Sequence, residues 1–83
     1  MSATLQVQIK FFAVLREQAG VSALDCTTSA RTPAELYQEL QTSRGLQLPA
    51  ALLRVAINGR YTEMDAQLQA GDRVVFIPPV AGG

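Results

Sequence analysis

Near the middle of the chain, Arg54 to Tyr61 reads RVAINGRY, and its Asn58-Gly59 pair narrows the choice of fold more than any other feature. A two-residue hairpin turn needs positive φ at both central positions, which asparagine and glycine tolerate best. The alternation before the turn places Val55 and Ile57 on one side, and Tyr61 and Thr62 begin the return strand. The rest of the chain has to be read around that hairpin.

Leu5, Val7, Ile9 and Phe11 alternate with Gln6, Gln8 and Lys10, the pattern of a half-buried strand, and Phe12 falls out of phase. Ala13 to Ala19 predicts two helical turns stopped by Gly20. Val21 to Thr28 offers a second strand, with Leu24 and Cys26 on one side, returning onto the first. Thr32-Pro33-Ala34-Glu35 marks the start of a longer helix: a capping threonine, a proline at the first helical position and a glutamate that completes a capping box. Leu36 and Leu40 share one face with Tyr37 beside them, and Gly45 ends the helix. Leu46 to Leu53, interrupted by Pro49, reads as an irregular crossover with one helical turn. Ala70-Gly71-Asp72 is a further turn, and Arg73 to Ile77 is the last strand. This order predicts an α+β fold: a mixed sheet of about five strands, with one principal helix across one face and a short N-terminal helix, the β-grasp arrangement.

Composition excludes several functions. A chain of 83 residues is one small domain. Seven basic and seven acidic residues cancel, so no basic surface suggests nucleic acid. With no histidine and one cysteine, Cys26, the chain has neither His-based acid–base chemistry nor a Cys/His metal site. A lone cysteine suits a reducing, cytoplasmic setting. No apolar run reaches the ~20 residues of a membrane helix, and no signal-peptide pattern opens the chain.

The residues left over point to a surface and a tail. Val74 and Phe76 share one face of the last strand, Val75 and Ile77 the other. With Phe11 and Phe76 under the helix, Phe12, Val75 and Ile77 gather on the open face, where Tyr61 joins them across the hairpin. An apolar patch there suggests a partner interface; strand propensity alone, with Phe12 tucked under the short helix, is the competing reading. Cys26 reads as a small buried hydrophobe, and Arg60, Asp72 and Arg73 as solvated surface near the tail's strand. Residues 1–78 are expected to form the domain and 79–83 a flexible tail. Pro78 and Pro79 lack an N–H, end strand pairing and hold an extended spacer. From Pro79 to Gly83 the chain spans about 17 Å at full extension. Val80 offers an apolar anchor, Ala81 and Gly82 leave room for a partner's groove to close round the backbone, and the terminal carboxylate of Gly83 is the reactive group. A frayed end is the bland alternative.

FFAVLREQAG (Phe11 to Gly20), RVAINGRY (Arg54 to Tyr61) and GDRVVFIPPVAGG (Gly71 to Gly83) resemble the family of molybdopterin synthase small subunits, sulfur carriers of molybdenum cofactor biosynthesis. The resemblance spans nearly the whole chain, is most specific in the last segment, and implies a ubiquitin-like β-grasp fold. It implies a carrier cycle too. An adenylating enzyme similar to the ubiquitin-activating enzymes uses ATP to adenylate Gly83, and a persulfide sulfur donor converts it to a thiocarboxylate. The large synthase subunit then takes the tail, and the sulfur passes to cyclic pyranopterin monophosphate within a heterotetramer. The small chain itself binds no cofactor or metal and is non-catalytic; its partner face comprises Phe12, Tyr61, Val75, Ile77, Pro78 and Pro79. Two alternatives stay open: a thiazole-pathway sulfur carrier, and a ubiquitin-like modifier conjugated through Gly83.

Overall fold

The computed structural model describes residues 3–79. The elements are β1 (Leu5–Phe11), α1 (Ala13–Ala19), β2 (Ala23–Thr28), α2 (Pro33–Arg44), a single 3-10 turn (Ala50–Leu52), β3 (Arg54–Ile57), β4 (Arg60–Thr62) and β5 (Arg73–Ile77). One five-stranded sheet has the order β2-β1-β5-β3-β4. β5 lies at its centre, parallel to β1 and antiparallel to β3, and the other neighbours are antiparallel. This is the mixed β-grasp arrangement expected from the order of elements.

Local chemistry accounts for most boundaries. Asn58 and Gly59 both have positive φ, 54° and 84°, so the hairpin turn forms as its dipeptide requires. The Thr32 hydroxyl accepts from the Glu35 N–H at 3.2 Å, with Pro33 at the first helical position. The Glu35 carboxylate accepts from the Arg31 N–H at 2.7 Å, one residue before the usual capping-box donor. Gly45, at φ 70°, closes α2 by donating its N–H to the Gln41 carbonyl. β2 begins at Ala23, not at Val21: Gly20 is left-handed at φ 80°, so Val21 and Ser22 complete the turn before pairing starts.

The core lies between the sheet and α2. Val7, Ile9, Phe11, Val55, Val74 and Phe76 from the strands meet Leu36, Tyr37 and Leu40, and α1 adds Leu15 and Ala19. The Tyr37 and Phe76 rings stand 5.2 Å apart and tilted by 57°, a favourable aromatic geometry. The Tyr37 hydroxyl donates to the Leu48 carbonyl at 2.6 Å, which satisfies a buried polar group and holds the crossover against the helix. Among the described residues, the opposite face of the sheet carries no helix.

Candidate functional site

The strand register assembles the open face. Ala23, Lys10, Val75, Ala56 and Tyr61 form one row across all five strands. The next row towards the end of β5 sets Arg54 opposite Ile77. The β1–β5 pairs Lys10↔Val75 and Phe11↔Phe76 lead to Phe12 beside Ile77. Phe12 is extended, at φ −124° and ψ 152°, and 43% exposed, so it does not tuck under α1. The Lys10 ammonium lies 5.3 Å from the Phe12 ring centroid, which places the two side chains on one face. Val75, Ile77 and Pro78 are half-buried, while Pro79 is exposed and Tyr61 is 75% exposed. Every described residue expected on the partner face is therefore on this surface or at the strand end that borders it.

The exposed apolar surface is uneven. β5 leaves the sheet at Ile77, beside the start of β3 and the end of β1. Phe12, in the β1–α1 connection, Val14, in the first turn of α1, and Leu52, at the end of the 3-10 turn before β3, lie towards that same end. With Tyr61 they are the exposed large hydrophobics of the described residues. At the opposite end the face is polar, with Gln8 paired to both Asp25 and Arg73. An apolar cluster ringing the exit of a strand suits a partner that grips the chain beyond it. Val14, Leu52 and Arg54 were not singled out from the sequence. Arg54 was legible, because the alternation that turns Val55 inward turns Arg54 outward beside Ile77. Leu52 was not, since its position depends on how the crossover lands.

The profile of the ThiS family matches residues 9–83. The chain belongs to the ThiS family. The molybdopterin synthase sulfur carrier subunit of Escherichia coli (strain K12) is 35% identical over 80 residues, covering 93% of this chain and 99% of the relative. Subunit 1 or 2 in the complex of molybdopterin-converting factor from Helicobacter pylori 26695 matches with a TM-score of 0.64 at 25% identity, over 95% of this chain and 100% of that one. The small archaeal modifier protein 1 of Methanosarcina acetivorans superposes with a TM-score of 0.77 at 21% identity, over 98% and 99%, a likeness of fold alone. The fold is the ubiquitin-like β-grasp.

In this ThiS-family chain, the three polar residues read as solvated surface near the tail's strand do lie beside it, and Arg60 and Arg73 are exposed, but Asp72 is not. Arg60, Asp72 and Arg73 stand at the entry of β5, the end remote from the strand's exit. Asp72 is buried at 8% exposure, not solvated. Its carboxylate accepts from Asn58 Nδ2 at 3.0 Å and from the Gln69 N–H at 2.8 Å, and its carbonyl accepts from the Gln8 N–H. Asn58 Oδ1 in turn accepts from the Arg73 N–H at 3.0 Å. The turn asparagine and the aspartate thus clasp the β3–β4 hairpin to the start of β5. Cys26 packs against the core from the edge strand but is half-buried, less covered than the buried hydrophobe expected. Burial, with the Glu39 carboxylate nearby, pushes its thiol above the ordinary 9.0, which disfavours the nucleophilic thiolate. Val80, Ala81, Gly82 and Gly83 lie outside the described residues. Among the described residues no helix is long and apolar enough to cross a membrane.

Proposed function

We propose that this chain is the sulfur carrier of molybdopterin biosynthesis, with the Gly83 carboxylate as its working group. The observation that carries the reading is the apolar cluster of Phe12, Val14, Leu52 and Ile77 around the exit of β5, directly before the Pro78-Pro79-Val80-Ala81-Gly82-Gly83 segment. A surface at that point can hold the domain while the segment beyond it enters a partner. The curated relatives named molybdopterin synthase sulfur carrier subunit support this branch over the thiazole pathway.

A carboxylate is a poor electrophile, so the cycle begins with an adenylating enzyme that joins it to AMP from ATP and releases pyrophosphate. The terminal sulfur of a persulfide donor attacks the acyl carbon and expels AMP. A second thiol cleaves the sulfur–sulfur bond, and a thiocarboxylate remains on Gly83. The large subunit of molybdopterin synthase receives that terminus and passes the sulfur to cyclic pyranopterin monophosphate. The carrier's contribution is placement: apolar docking, a stiff proline spacer and a glycine end that fits a narrow channel.

The test is to incubate the chain with activating enzyme, ATP and sulfur donor, and to follow exchange of one oxygen for sulfur by intact-mass spectrometry. Deleting Gly83, or adding one residue after it, shifts the carboxylate by ~3.4 Å, beyond what a positioned site tolerates. Both changes are expected to abolish sulfur transfer with the melting curve unchanged. Full transfer by a chain shown to keep its extension overturns the carrier reading. Isopeptide adducts on lysines, in place of the thiocarboxylate, assign the chain to the modifiers.

A further inference from the structure

Two unfavourable features sit side by side where β1 turns into α1. Ala13 has φ 52°, in the left-handed region that L-residues other than glycine and asparagine avoid. Phe12 before it is a large exposed hydrophobe. Every other described residue with positive φ is a glycine (Gly20, Gly45, Gly59, Gly71) or the turn asparagine Asn58. The chain therefore uses the permissive residue wherever a turn needs one, except here. Core packing does not account for the exception, because Ala13 is exposed. The turn that starts α1 needs a positive φ at this position, but it does not need an alanine there, since glycine would adopt the same φ at less cost.

What the alanine does is restrict motion. The Phe12 carbonyl accepts from the Leu15 and Arg16 N–H groups at 3.1 and 3.4 Å, and the Phe11 N–H donates to the Ser22 carbonyl at 2.9 Å. The torsions of Phe12 lie between those two anchors, and those of Ala13 lie inside the turn that the Phe12 carbonyl closes, so freedom at Ala13 loosens the anchor on the Phe12 carbonyl. A glycine at 13 would widen the accessible range; alanine, once forced into this well, has little room around it. Strained backbone clusters at functional sites, where it holds a group in place.

We propose that Ala13 is a positioning residue for partner docking: its strained left-handed backbone holds Phe12 outward on the apolar cluster at the exit of β5, so that the ring is ordered before the partner arrives. This rests on the reading that the cluster meets the large synthase subunit. Ordering before binding removes a cost that association would otherwise carry.

Four full-length proteins test it beside the parent: Ala13→Gly, Ala13 replaced by D-alanine (by joining synthetic segments at Cys26), Phe12→Ala, and the Phe12→Ala/Ala13→Gly double variant. D-alanine favours positive φ without gaining glycine's freedom. It is expected to raise Tm by about 4–8 °C and to bind the large subunit at least as tightly as the parent. Ala13→Gly is expected to keep or slightly raise Tm, since relief of strain is offset by a freer unfolded chain, yet to bind roughly 5-fold more weakly. In the Phe12→Ala background the same change should cost nothing further, the coupling that a double-mutant cycle reads. Parental affinity for Ala13→Gly, an equal loss with and without Phe12, or a collapse of Tm in Ala13→Gly overturns the proposal. Parental affinity for Phe12→Ala overturns the docking reading beneath it, a separate result.

Discussion

Neighbouring residues of one type have opposite surroundings in this chain. Phe11 and Phe76 are almost wholly buried, whereas Phe12 is 43% exposed. Phe76→Ala is expected to cost ~3–5 kcal/mol of stability, and Phe12→Ala about 1 kcal/mol or less, including its contact with Lys10. Phe12→Ala should instead weaken binding to the large subunit. Thermal melts and affinities of both variants decide this; equal melting losses would show the Phe12 ring to be part of the core. Cys26 and Tyr37 carry a second expectation. Burial raises both, from ordinary values of 9.0 and 10.0, and Glu39 adds to the effect at Cys26. A raised folded value means stability is complete below the ordinary value and is lost as pH rises through the folded one. Urea midpoints should thus be level from pH 7 to about 9 and fall above that. A midpoint that rises above pH 9 contradicts this. At neutral pH, alkylation of Cys26 should be slower than that of a free cysteine.

Element by element, what the sequence made legible was what local chemistry decides. Asn58-Gly59, the Thr32-Pro33 start and the Gly45 stop were readable because each rests on torsions and hydrogen bonds within a few residues. The inward Val74 and Phe76 and outward Val75 and Ile77 followed from strand alternation. Asp72 was misjudged because a donor that makes its burial tolerable, Asn58, arrives from the β3–β4 hairpin, fourteen residues earlier in the chain. Ala13 gave no signal, since alanine carries no preference for the backbone it adopts. The Asp72 clasp has a testable consequence. Asp72→Ala leaves Asn58 Nδ2 and the Gln69 N–H without their acceptor, at a cost of about 2–3 kcal/mol, seen as a lower urea midpoint. The apolar cluster lies at the other end of β5, so the folded fraction should bind the large subunit with unchanged affinity. A matching loss of affinity would mean that the two ends of the strand are coupled.

At the scale of the whole molecule, stability and use separate. The described domain carries the core, and the residues beyond it carry the chemistry proposed for the terminus. Gly82→Ala is therefore expected to melt like the parent but to be charged and discharged slowly, because one methyl meets the walls of a close-fitting channel and removes conformations only glycine reaches cheaply. Each ~1.4 kcal/mol added to the barrier slows the reaction tenfold. Thiocarboxylate formation and synthase turnover, measured side by side, check it; parental rates in both would make the penultimate glycine incidental.

The central position of β5 also governs how the domain comes together in time. β1 and β2 are neighbours in sequence and can zip as a hairpin, and so can β3 and β4. Neither hairpin touches the other in the sheet: β5 alone joins them, and its parallel partner β1 lies near the opposite end of the sequence. Closing so long a loop costs entropy before the contacts repay it, so this parallel pairing is expected to form more slowly than either hairpin. Until that strand inserts, two open sheet edges face solvent, and those are the template for association between unfinished chains. The strand that leads into the terminus proposed to carry the sulfur is thus also the keystone, and without it the two hairpins have no strand between them in the sheet.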